Sequence, residues 1–180
     1  MDPLLFSDRS LWTMAHGIVL GGGSLLGLAA ALFALRTMPR SAATDPGVHA
    51  QARSLAWLLA GIAVLLWLTV LVGTYITFPP YRATPPEGTL DLARYPRSLI
   101  QSNPATVWLH AFGMEIKEHV PFITAMLATA VAFVGFRSRD RLLTDAPLRR
   151  LATALVALCF VLVSAVSLLG VFINKVAPLE

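Results

Sequence analysis

Two histidines, His16 and His119, stand inside long apolar stretches of this chain. An ionisable side chain in such a place is costly and marks a functional site by default. Around His119 the sequence turns polar, in the run Met114-Glu115-Ile116-Lys117-Glu118-His119. On a helix Glu115 and His119 are i,i+4 and share a face. A carboxylate so placed hydrogen-bonds an imidazole, fixes its tautomer and raises its basicity as a ligand. Glu118 points about 100° away from His119, toward Lys117, Arg82 or a partner subunit. Two imidazoles on facing helices are the axial ligand set of a b-type haem. The same histidines with Glu115 also compose a carboxylate–histidine set for iron, copper or zinc. His110, nine residues before His119, is half a turn out of phase and falls outside that set. His49, beside Asp45 and Pro46, reads as a surface residue in a loop.

The elements that must position these residues are membrane helices. Of the 180 residues, 56% are hydrophobic and 13% charged, against about 25% charged in a soluble domain. Mean hydropathy is +0.69. Four stretches, Leu11–Leu35, Ser54–Ile76, Trp108–Phe136 and Leu151–Ile173, are each long enough to cross a ~30 Å hydrocarbon core. Nothing remains for a soluble domain. The expectation is one all-α domain over residues 1–180, an integral membrane antiparallel four-helix bundle. The first stretch does not read as a signal peptide: it opens with Asp2 and Asp8, is too long, and lacks a small-residue cleavage site. Cys159, the one cysteine, lies inside the fourth stretch and reads as a small core residue.

Depth can be counted from the arginines that end each stretch. His16 lies 19 residues before Leu35, and His119 lies 17 residues before Phe136. At ~1.5 Å per residue their heights differ by about 3 Å. On the other two helices the same level falls near Gly73 and Gly170. One layer then holds two histidines and two glycines, a layer suited to a haem held by His16 and His119. Gly73, Gly170 and Gly17 would leave it room. Lys117, Arg82 and Tyr75 lie near the polar boundary, where haem propionates would sit. The plainer reading makes the histidines separate interface residues. Likewise Gly17–Gly21 and Gly23–Gly27 have the spacing that lets membrane helices approach closely.

Arg36, Arg40 and Arg53 flank the connection after the first stretch, and Arg137, Arg139, Arg141, Arg149 and Arg150 crowd the one after the third. The positive-inside rule puts both in the cytoplasm and both termini outside. The outer connection, Thr77–Asn103, is long and Pro-rich (Pro79, Pro80, Pro85, Pro86, Pro96), and loops of this length tend to be functional surfaces. Asn103 and Pro104 have the residue types of an N-cap and first helical position. Pro121 removes a backbone bond to Lys117 and predicts a kink.

No Gly-rich phosphate loop, CxxCH, paired cysteines or nucleophile elbow is present, which argues against nucleotide, covalent-haem, iron–sulfur and hydrolytic chemistry. The arginines are accounted for by topology, so no nucleic-acid partner is expected. The leading expectation is a bacterial inner (plasma) membrane subunit with haem b. It would pass electrons between quinol and other membrane or periplasmic redox subunits, with Glu115 or Glu118 as proton acceptor beside a bound quinone. The alternatives are a cofactor-free accessory subunit of a respiratory or photosynthetic complex, and a metal-binding protein using Glu115, His119 and His16.

Overall fold

The computed structural model describes residues 7–39 and 45–178. Asp2 and Arg40, used above for the amino terminus and the charge pattern, lie outside them. The described residues form helices and turns, and four helices are long and apolar enough to cross a membrane: α1 (Asp8–Thr37), α2 (Pro46–Arg82), α4 (Leu109–Arg137) and α6 (Ala146–Val176). Two short helices complete the order, α3 (Pro96–Gln101) before α4 and α5 (Arg139–Thr144) between α4 and α6.

The starts of three helices follow from side chains that satisfy otherwise orphaned first-turn N–H groups. Ser7 accepts from the Ser10 amide at 3.2 Å before α1. Asp45 accepts from Gly47 at 2.8 Å before α2. Asp145 accepts from Leu148 at 3.0 Å before α6. Proline in the first two positions of α2 and α6 costs no hydrogen bond there. His49, expected in a loop, therefore sits in the first turns of α2, with Nδ1 3.3 Å from an Asp140 oxygen.

The long helices pack in the cyclic order α1–α2–α4–α6. Each contributes a stripe at helical spacing: Leu28, Ala31 and Leu35; Leu55, Leu59, Ile62 and Leu66; Ala125, Ala128 and Val131; Ala152, Val156 and Cys159. Cys159 is thus a core residue, its Sγ 3.9 Å from the Thr124 carbonyl oxygen. Small residues set the closest approaches. A Cβ on Gly27 would come 2.8 Å from Ile62 Cγ1, and one on Gly135 would come 3.1 Å from Leu59 Cδ1. Gly17 has no neighbour within 4 Å of such a Cβ, so it takes no part in close packing. Trp67 Nε1 donates to Thr129 Oγ1 at 3.0 Å, tying α2 to α4. The outward faces stay apolar, with Ile18, Leu26, Phe33, Trp57, Phe112, Phe133 and Val161 exposed. That surface is compatible with a lipid bilayer and would be unsuited to water.

Arg149 was counted above with the topology-setting charges, but it is 8% exposed and serves as a fastener. Its guanidinium donates to the carbonyls of Leu142 (2.8 Å), Met38 (2.9 Å), Leu143 (2.8 Å) and Pro39 (3.3 Å). Five donors in a planar fork let one side chain satisfy the ends of α1 and α5 together.

At the opposite end the boundaries differ from those expected. α2 continues past Ile76 to Arg82, although Pro79 and Pro80 fall within it. Prolines in a first helical turn need no amide partner, and a new turn begins at Phe78. The expected Pro-rich connection is irregular only over residues 83–95 before α3 begins. Asn103 accepts from the Ala105 amide at 2.9 Å, but residues 104–106 form a turn and the helix follows it.

Candidate functional site

Three of the four long helices break register at the α3 end. π-Helical turns span Ala15–Gly22 in α1, Gly73–Thr77 in α2 and Leu109–Met114 in α4. Each contains glycine, and the wider turn frees carbonyls from their ordinary partners. Thr77 Oγ1 donates to one of them, Gly73 O, at 3.0 Å. Such insertions are rare and gather at functional sites.

The three turns border a cavity of about 340 Å³, within the size range of small-molecule sites. All four long helices line it. α1 gives Arg9, Thr13 and His16; α2 gives Thr69, Gly73, Thr74 and Tyr81; α4 gives Met114, Lys117, Glu118, His119 and Phe122; α6 gives Val166, Ile173 and Asn174. The cavity lies where the main core meets a smaller cluster of Tyr81, Ile100, Leu109, Met114 and Ile173.

His16 is the more enclosed histidine. Its Nδ1 is buried with no hydrogen-bond partner. A buried ring nitrogen without a partner is expensive; the chain encloses that atom, and the rest of the ring lines the cavity. Gly73 fits against the same ring: a Cβ there would stand 3.0 Å from His16 Cε1. The counted layer is therefore right in placing His16 and Gly73 together, but the glycine makes room for the imidazole. Gly170 makes room for Lys117, whose Cε lies 3.6 Å from the position of a Cβ on Gly170.

His119 sits on the cavity's edge, its side chain 72% exposed. Nδ1 is 2.8 Å from the Glu115 carbonyl oxygen, one turn back on α4. The Glu115 carboxylate is farther, at 3.8 Å, and 67% exposed. The group expected to hold the imidazole's tautomer is thus the backbone of Glu115 more than its side chain. That bond directs Nδ1–H inward along the helix and leaves Nε2 available.

Lys117 and Glu118 both line the cavity. No carboxylate among the described residues lies within ion-pair reach, 4.0 Å, of Lys117. Five candidates from the sequence, Tyr75, Arg82, Glu115, Gly17 and Gly170, are not among the residues that line the cavity. Tyr75 is 74% exposed on the outer face of α2, two residues and so about 200° around a helix from Gly73. Arg82 lies over the Phe78 ring, 5.3 Å from its centroid. Among the described residues no group of three or more His, Cys, Asp or Glu side chains is gathered to hold a metal ion.

Sequence reasoning missed Arg9, Thr13, Tyr81 and Asn174 as lining residues. Their signal was available in principle, as polar residues at the ends of apolar stretches one or two turns from His16, Gly73 or Gly170. No protein-family model, curated protein or solved structure matches this chain.

Proposed function

We propose that this chain is an integral protein of a bacterial plasma membrane that holds one b-type haem in the cavity between His16 and His119. It would pass electrons between quinol and a redox partner outside the cytoplasm. The observation that carries the reading is the cavity itself, which all four long helices line and which His16 and His119 share. His119 keeps Nδ1 on the Glu115 carbonyl and offers Nε2. Backbone anchoring of one ring nitrogen is the usual state of an imidazole that ligates a metal.

The residues present fit the group. Two imidazoles would be its axial ligands, and Lys117 supplies a cation for a propionate without an ion pair to break. A flat ligand seated here would also cover the exposed face of His119. When bound, the haem supplies one-electron chemistry. The protein's part is to orient the two rings, exclude water with Val70, Met114, Phe122 and Val166, and accept a proton. Glu118, which lines the cavity, takes that last role in preference to Glu115.

We further propose an antiparallel bundle with both termini outside, which sets the cavity near the outer face. Arg36, Arg53, Arg137, Arg139, Arg141 and Arg150 support this orientation, and the arrangement needs no partner to complete the site. The test is a haem determination on the protein purified from a haem-replete host. The expected content is one haem per chain, released by acid acetone and so not covalently attached. A preparation without haem that also fails to take up added haemin contradicts the reading.

A further inference from the structure

We infer that Tyr81 and His110 form a proton path from the cavity to the α3 end of the molecule, an inference that rests on the haem and quinol reading above. His110 was set aside in the sequence because it is out of phase with His119. The structure gives it a different neighbour: Tyr81 Oη lies 3.0 Å from His110 Nδ1.

Tyr81 is 7% exposed and lines the cavity, while His110 is only partly buried in the π turn of α4. The pair therefore joins the cavity to the surface. Its geometry is held from one side, where the Phe78 ring stacks on Tyr81 with an interplanar angle of 12°. The charged groups around the pair come from three elements. Arg97 of α3 and Glu118 of α4 act on both Tyr81 and His110, and Glu115 and Arg82 act also on His110. Arg97 Nε is itself buried without a partner.

The transfer is one proton per passage. A proton leaving a quinol hydroxyl in the cavity reaches Tyr81 Oη, which lines it, through cavity water. As that O–H bond forms, the original Tyr81 O–H bond breaks and its proton goes to His110 Nδ1. The imidazolium ring turns toward water outside, loses that Nδ1 proton and turns back, and rotation of the Tyr81 hydroxyl restores the starting pair. No electron moves through Tyr81 or His110.

Two measurements test this. In the purified protein without quinol, nitrogen-15 spectra of histidine should show His110 as the Nε2–H tautomer, and Tyr81→Phe should abolish that preference. In stopped-flow reduction of the bound haem by duroquinol, Tyr81→Phe and His110→Ala should each slow the reaction ~10-fold or more, the scale of a lost proton-transfer group. Free imidazole should restore the His110→Ala rate. If Tyr81→Phe loses its Soret band, His110→Ala with and without imidazole decides the matter alone. Rates within twofold of wild type with the Soret band intact overturn the path and leave the haem site standing. A slowed His110→Ala that imidazole does not restore also overturns it. A wild-type protein with no Soret band overturns both readings.

Discussion

At the residue scale the site turns on what each imidazole does with its two nitrogens. His16 has its Nδ1 enclosed by the chain without a partner, whereas His119 keeps Nδ1 on the Glu115 carbonyl at 2.8 Å. The difference assigns Glu115 a minor electrostatic role. Glu115→Gln is expected to leave the Soret position unchanged and to raise the midpoint potential only slightly, as the backbone bond survives the change. A redox titration of the two proteins checks this. A large upward shift would mean that the carboxylate, at 3.8 Å, is the group that tunes the ligand. The histidines were legible in the sequence because charge-capable residues in apolar stretches are conspicuous. The nitrogen that His119 offers was not, since it depends on the Glu115 carbonyl, which the residue letters do not distinguish.

At the element scale the site depends on irregular helix. The π turns of α2 and α4 bring Gly73, Thr74 and Met114 to the cavity wall, and Tyr81 lines it farther along α2. A count at 3.6 residues per turn cannot register such insertions; counting depth put His16 and Gly73 at one level, where their atoms come close, and depth alone says nothing of the way Tyr75 faces. Gly73→Ala should press on the His16 ring across 3.0 Å. We expect a broadened Soret band and about 1 kcal/mol or more of lost stability. Gly27→Ala, crowding Ile62 at 2.8 Å, should lose a similar amount with an unchanged spectrum. Thermal unfolding in detergent, followed beside the absorption spectrum, separates the two. An equal spectral change in both would mean that Gly73 acts only through packing. Arg149 is the second lesson at this scale. The sequence offered it as a topology charge, and only the fold brings the Met38, Leu142 and Leu143 carbonyls around it. Arg149→Ala should destabilise by about 3 kcal/mol or more, since several buried carbonyls lose a charged donor. Arg149→Lys should recover only part, because an ammonium lacks the planar fork. Equal stability of all three proteins would remove the fastener.

At the scale of the whole molecule, four helices long and apolar enough to span a membrane were plain from composition and stretch length. Those signals integrate over twenty residues and tolerate errors at helix ends, which is why the ends were the weaker part. Orientation rests on the arginine asymmetry. Single cysteines at positions 49 and 90 should react with an impermeant maleimide only from the cytoplasmic side and only from outside, respectively. Labelling of position 49 from outside would invert the molecule and move the cavity to the inner face. The central claim is one low-spin haem between His16 and His119, and the most direct measurement of it is a reduced-minus-oxidised absorption spectrum of wild type, His16→Ala and His119→Ala. The account predicts a sharp Soret band and split α/β bands in wild type, with the low-spin signature lost in both variants. A wild-type spectrum without those bands, or an unchanged spectrum in either variant, would contradict it.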